Sequence, residues 1–287
     1  MPTSEEPLDG PVGTPFQSVA VCVDGSDAAA DAVELGKALA GADGEITLLH
    51  ALETFFALGW GHVWPIPDDE WQEMGDAVFE KVAAHAPDAE RRLLPGSPYF
   101  AISQWVDENQ PDVVVVAAHS GRFARLTLGS TSSHFAYHLD APVAIAHPDF
   151  SRPRQIARVA ACVDGDDHTK RVLDAASRVS GAYGAKMDAL YVVEDLRAYV
   201  ESNWAPDPQE WQKEWRATMD EMLGHAECEQ HVLEGPFVGP AIRDWAERSD
   251  VDLLTLAAHR GVPERIFLGG VAGYLAHHAP CDVLISR

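Results

Sequence analysis

Short apolar runs alternate along this chain with longer segments of helical period. SVAVCV (18–23) is followed by SDAAADAVELGKALAGADG (26–44), where apolar residues recur at three- and four-residue spacing. Ser26 fits the N-cap of that helix, and the glycine-containing end stops it. EITLLHAL reads as a second strand, PDDEWQEMGDAVFEKVAAHA as a second helix and ERRLL as a third strand. SPYFAISQWVDENQ reads as a third helix, DVVVVAA as a fourth strand, residues 129–139 as a fourth helix and PVAIAH as a fifth strand. Strands alternating with helices predict right-handed crossovers and a mostly parallel sheet covered on both faces.

The pattern then runs again. VAVCVDGSD (19–27) returns as VAACVDGDD (159–167), an offset of 140 residues. Asp24 and Asp164, Trp64 and Trp204, Trp71 and Trp211, His85 and His225 keep that offset. So do Trp105 and Trp245, Asp112 and Asp252, Gly121 and Gly261, Gly129 and Gly269. A shared register of this length is a tandem duplication. It divides the chain into an acidic tail (1–15) expected to be disordered, a first domain (16–148), a linker (149–157) and a second domain (158–287).

The 287 residues carry 45 Asp plus Glu against 21 Lys plus Arg, a formal net charge of −24. Lysine is scarce, at Lys37, Lys81, Lys170, Lys186 and Lys213. Such a surface argues against duplex nucleic acid or an anionic membrane as partner, and suits a salt-rich cytoplasm. No apolar run approaches the length of a membrane span, and the acidic N-terminal stretch does not read as a secretory signal. Cys22, Cys162, Cys228 and Cys281 form no CxxC pair and read as a reduced, intracellular set.

Ligands of an open parallel sheet bind beyond the C-terminal strand ends, where the strand order switches. If each half has the order 3-2-1-4-5, its first and fourth strands flank that switch. DGSD follows the first strand, and HSGRFARLTLGS follows the fourth. Gly121 allows close backbone approach, and Gly129 and Ser130 open a helix whose free N–H groups attract phosphate. Ser130 and Thr131 add hydroxyls, Arg125 a cation repeated at Arg265, and Asp24 an acceptor for an adenine amino group or a ribose hydroxyl. The same glycines also fit a plain tight strand-to-helix connection, with Arg125 solvated.

VDGSD, LLHALE and GRFARLTLGS leading to HLDAPVAI resemble the universal stress protein family. VDGDD, LYVVE and FLGGVAGYLAHHAPCDVLI repeat the resemblance, so it covers nearly the whole chain. It implies two five-stranded α/β domains, adenine-nucleotide alpha hydrolase-like, packed as a pseudo-dimer within one chain through their last strands. It also implies a cytoplasmic stress regulator that binds an adenine nucleotide, with ATP expected and magnesium accompanying it.

The implied first site is Asp24, Gly25, Ala51, Ala118, Gly121, Arg125, Gly129, Ser130 and Thr131. The weaker second site is Asp164, Gly261, Gly269 and Gly270. The chain departs from the family's glycine pattern. Ala118 and Ala258 stand at its first glycine, only seven residues separate Gly121 from Gly129, and Gly270 replaces a hydroxyl. At most one competent site is therefore expected, in the first half.

No P-loop, GxGxxG or GxSxG spacing is present, so the expected role is binding rather than catalysis, with slow ATP hydrolysis left open. His134 and His138 lie four apart on a helix, but no other ligand accompanies them, so no metal site is expected. Trp60, Trp64 and Trp71, with Trp204, Trp211 and Trp215, concentrate aromatics between second strand and second helix. They suit core packing, a cover over the crevice, the pseudo-dimer, an oligomer contact or a protein partner. The alternative function is thus a stress scaffold that binds no nucleotide and acts through these segments.

Overall fold

The computed structural model describes residues 16–58, 62–118, 130–148, 154–165, 168–194, 228–258 and 270–287, with single positions between 213 and 223. The first half runs β1 (Ser18–Cys22), α1 (Ala29–Ala40), β2 (Glu45–Leu52), β3 (Phe55–Leu58), β4 (His62–Pro65) and α2 (Asp68–Val82). It continues with β5 (Glu90–Pro95), α3 (Pro98–Asn109), β6 (Val113–Ala117), α4 (Ser130–His138) and β7 (Val143–Ala146). The second half runs β8 (Arg158–Cys162), α5 (Thr169–Tyr183), β9 (Lys186–Glu194) and β10 (Glu229–Gly235). It ends with α6 (Val238–Arg248), β11 (Leu253–Ala257), α7 (Gly270–His278) and β12 (Asp282–Ser286).

Ten strands form one sheet in the order β10-β9-β8-β11-β12-β7-β6-β1-β2-β5. Within this sheet each half has the order 3-2-1-4-5, and its five strands are parallel. The halves meet where β12 pairs antiparallel with β7, setting Val283 against Ile145 and Ile285 against Val143. The last strands thus join two parallel sheets into one.

The central strands are apolar at nearly every position because both faces are covered. Val113 to Val116 are all buried, as are Val143 to Ala146 and Leu253 to Leu256. Leu35 and Leu39 of α1 and Phe79 of α2 pack in the core on one face, together with α5. Ile102 of α3, Phe135 of α4, Ile242 of α6 and Leu275 of α7 pack in the core on the other.

The repeated aspartates Asp112 and Asp252 have a structural use. Asp112 Oδ2 accepts the N–H groups of Gln17 (2.6 Å) and Ser18 (3.3 Å). Asp252 Oδ2 accepts those of Ala157 (2.8 Å) and Arg158 (2.9 Å). Each aspartate holds the entry to its half's first strand beside the start of the fourth.

Two local expectations change. Ser26 does not cap α1, which follows Ala28 and has no side-chain cap. Ser26 belongs instead to a turn in which its N–H donates to Asp24 Oδ1 at 2.9 Å, the local bond that makes aspartate a turn former. The aromatic stretch after β2 also contains a two-stranded ribbon, β3 with β4, pairing Phe56 with Trp64. Its FFAL and HVWP runs, separated in sequence by Gly-Trp-Gly, carry a hairpin composition that the helix-strand alternation hid.

At the junction of the halves, two contacts obey the repeat. His147 Nε2 lies 3.1 Å from the carbonyl oxygen of Ala276, in the last turn of α7. Arg287, one repeat later than His147, donates to the carbonyls of Ala136 (2.6 Å) and Phe135 (3.2 Å) in the last turn of α4. Each half thus supplies a side-chain donor to carbonyls in the last turn of the other half's helix, where acceptor capacity remains.

Candidate functional site

The register brings the predicted first-half positions to one level. Val21 pairs with Leu48 on one side and with Val115 on the other. Three residues farther along lie Asp24 and Ala118, just past the ends of β1 and β6, and Ala51, in the last two residues of β2. Ala118 is buried and its N–H donates to Ala146 at 2.8 Å, so the backbone leaves β6 still tied to β7. α4 then begins at Ser130, and Ser132 Oγ donates to the carbonyl of Ala117 at 2.8 Å. The start of α4 therefore sits against the end of β6, with its dipole-positive end at the crevice.

Gly25 has φ +77, a left-handed conformation that favours glycine. Its carbonyl accepts from Lys81 Nζ at 2.7 Å, bringing one of five lysines to the Asp24 loop. His50, which no sequence motif marks, has Nδ1 2.8 Å from the Val23 carbonyl. Burial lowers its pKa, against the Val23 bond and the Asp24 charge, so the ring is neutral at pH 7. Nδ1 must carry the proton to donate to that carbonyl, which leaves Nε2 an acceptor. The signal was its place, one residue past the last buried pair of β2.

The second half has the same frame with different contents. Ala161 pairs with Ala189 and with Thr255, which brings Asp164, Val192 and Ala258 to one level. Here Thr169 closes the turn. Its hydroxyl accepts the Gly165 N–H at 3.1 Å and lies 3.5 Å from Asp164 Oδ1. Tyr191 takes the position of His50, and burial together with the Asp164 charge raises the pKa of its phenol. Gly270 is exposed at the start of α7.

Gly121, Arg125, Gly129, Gly261 and Gly269 lie outside the described residues, as do the side chains of Ser130 and Thr131. Trp60, Trp204, Trp211 and Trp215 lie outside them too. Trp71 is a latch, its Nε1 donating to the Leu52 carbonyl at 3.2 Å. Trp64 is 66% exposed on the β3–β4 ribbon, and Phe55 beside it is 43% exposed.

Among the described residues, two groups have metal-ligating chemistry. The rings of His134 and His138 stack at 4.2 Å, and Tyr99 packs edge-on against His134, so this pair is an aromatic packing unit. Asp188, Glu229 and His231 converge within 4.8 Å. Arg158 donates to both oxygens of Asp188 (2.6 and 3.1 Å), and Lys186 binds Glu229 and lies 3.6 Å from Asp188. Two cations already balance the two carboxylates, so the cluster reads as an ion-pair network.

A family model described as the universal stress protein family matches residues 15–147 and again 156–287. The chain belongs to the universal stress protein family. A universal stress protein of Synechocystis sp. is 42% identical over 62 residues, 21% of this chain and 39% of that relative, so the match spans well under half its length.

A universal stress protein of Archaeoglobus fulgidus has a similar solved structure, with TM-score 0.69 at 20% identity, covering 95% of this chain and 99% of that one. A functionally unknown Pseudomonas aeruginosa protein follows, with TM-score 0.66 at 13% identity, covering 94% and 92%. Both likenesses extend over two domains and concern the fold. This tandem universal stress protein has no helix, among the described residues, long and apolar enough to cross a membrane.

Proposed function

We propose that this universal stress protein is a cytoplasmic regulator that binds an adenine nucleotide, ATP, in its first-half crevice. The observation that carries the reading is the alignment of Asp24, Ala51 and Ala118 at the switch in strand order, beside the start of α4. A bound nucleotide would bring an adenine edge with donor and acceptor atoms and a polyanionic phosphate chain. The Asp24 carboxylate suits a ribose hydroxyl or amino group, and the α4 N–H groups suit phosphate. Magnesium would arrive with the triphosphate.

The contrast between halves favours the first. The Thr169 hydroxyl already satisfies a loop N–H beside Asp164, and Tyr191 fills the position of His50. The role is one of binding: the nucleotide shifts a conformational or partner equilibrium by its differential affinity. The acidic composition, net −24, suits solubility in a salt-rich cytoplasm.

Calorimetric titration of ATP into the full chain tests this reading. Saturable binding is expected for the wild type and for Asp164→Ala, and its loss for Asp24→Ala. Equal binding by all three chains would overturn the assignment to the first half. The second reading, a scaffold without nucleotide, is favoured by the 66% exposure of Trp64. It predicts no titration signal from any of the three.

A further inference from the structure

Two helices flank the proposed first-half site. α1 follows the Asp24 loop, and α4 follows β6. Each is gripped by a cation from outside the first domain. Arg154, in the linker, donates to Asp31 of α1 at 3.1 Å, to Asp282 at the start of β12 and to the His147 carbonyl at 2.8 Å. Its side chain is only 10% exposed, so these anions meet it largely out of water. Arg287, directly after β12, donates to Phe135 and Ala136 at the end of α4. Positive charge there also complements the helix dipole.

One strand of the second half therefore has a grip at each end. Through Asp282 and Arg154 it reaches α1, and through Arg287 it reaches α4. The repeat shows that the first grip is specific to this side. Asp31 is replaced by Arg171 in the second half and Asp282 corresponds to Pro142 in the first, so the Arg154 bridge has no mirror image. The second grip is mirrored by His147 on Ala276.

We infer that the second half acts as a positioning element for the first-half site, with β12 as a strut that sets α1 and α4 through Arg154 and Arg287. This rests on the nucleotide reading for its ligand but not for its mechanics. Arg154 and Arg287 are positioning residues. They fix the two helices whose N-terminal sides face the crevice, and a site whose walls are already fixed loses less freedom on binding. Nucleotide occupancy must, by reciprocity, tighten the same contacts.

The test uses the full chain as wild type, Arg287→Ala, Arg154→Met and, as control, Arg243→Ala. Arg243 pairs with Asp244 and the Tyr274 hydroxyl within the second half. Amide hydrogen exchange is followed by mass spectrometry over α1 and α4, with and without ATP, and ATP affinity is titrated in parallel. Arg287→Ala should speed exchange in α4 and Arg154→Met in α1, each at least fivefold. Both should weaken ATP at least fivefold, and the control should change neither. Unchanged exchange in α1 and α4 overturns the strut.

Faster exchange with unchanged ATP affinity overturns its influence on the site. If the wild type binds no ATP, the nucleotide reading fails by itself. The strut is then judged on exchange alone, where the same fivefold acceleration supports it and its absence sinks it.

Discussion

Asp282 Oδ1 accepts the backbone N–H of His147 at 2.9 Å, across the antiparallel seam between the halves. The His147 side chain is buried and that of Asp282 is only 13% exposed, and removal from water drives the two in opposite directions. It raises the Asp282 carboxyl to about 6, outweighing the Arg154 guanidinium beside it. It lowers the His147 imidazole to about 4.

These shifts make a pH prediction with two opposed signs. Asp282 titrates higher in the folded chain than in the unfolded one. Its ionised form is penalised above pH 6, and stability rises as pH falls from about 6 toward 4. His147 titrates lower in the folded chain, so stability falls as pH drops below about 6.5. Between pH 7 and 4.5 each contributes a change of about 2 kcal/mol, and the two nearly offset. Relative to wild type, Asp282→Asn should therefore lose about 2 kcal/mol on acidification across that range, and His147→Asn should gain about as much. Urea unfolding at several pH values checks this. Parallel pH profiles for all three proteins would contradict it.

The halves solve one packing position in two ways. Tyr99 packs edge-on against His134 in the first, with ring centroids 3.4 Å apart. The repeat partners are Gly239 and Tyr274, and a Cβ on Gly239 would stand 2.6 Å from Tyr274 Cδ1. The large residue has changed helix. Gly239→Ala should cost about 1–3 kcal/mol by overpacking. Tyr274→His should recover part of that loss, giving a coupling of about 1 kcal/mol in a double-mutant cycle. Strict additivity would show that the two positions do not share this space.

Gly25 and Gly184 both hold positive φ, +77 and +60. Alanine is strained at either by about 1 kcal/mol. Only Gly25 is also crowded, since its added Cβ would meet Val78 at 3.3 Å and Lys81 Nζ at 3.4 Å, whereas nothing lies within 4 Å at Gly184. Gly25→Ala should destabilise more than Gly184→Ala and should disturb the Asp24 loop. Thermal unfolding of the two variants reads the difference, and equal losses would remove crowding from the account.

Much of the fold could be read from the sequence because burial on two faces writes itself as unbroken runs. DVVVV and DLLTL could only be central strands, and the fixed repeat offset doubled every such reading. The crossover rule gave the parallel sheet but not its strand order, which entered only as a condition, and the seam between the last strands came from the family resemblance. The β3–β4 ribbon was missed because its Phe and Trp residues fit a core as well as a hairpin. The displaced Ser26 was missed because a serine before an apolar helix is the usual cap, and only geometry shows Asp24 taking its N–H. His50, Lys81, Arg154 and Arg287 were illegible for a deeper reason. Each acts on a backbone carbonyl or carboxylate remote in sequence, and no local pattern marks such a partner.

The most direct test of the central claim is the small-molecule content of the protein itself. The full chain would be purified without added nucleotide in high potassium chloride and denatured, and released ligands identified and counted by mass spectrometry. The account predicts ATP or another adenine nucleotide near one per chain, absent from Asp24→Ala. A wild-type protein that releases none, and takes up none after incubation with ATP and magnesium, would contradict it and shift attention to partners of the exposed Trp64 ribbon.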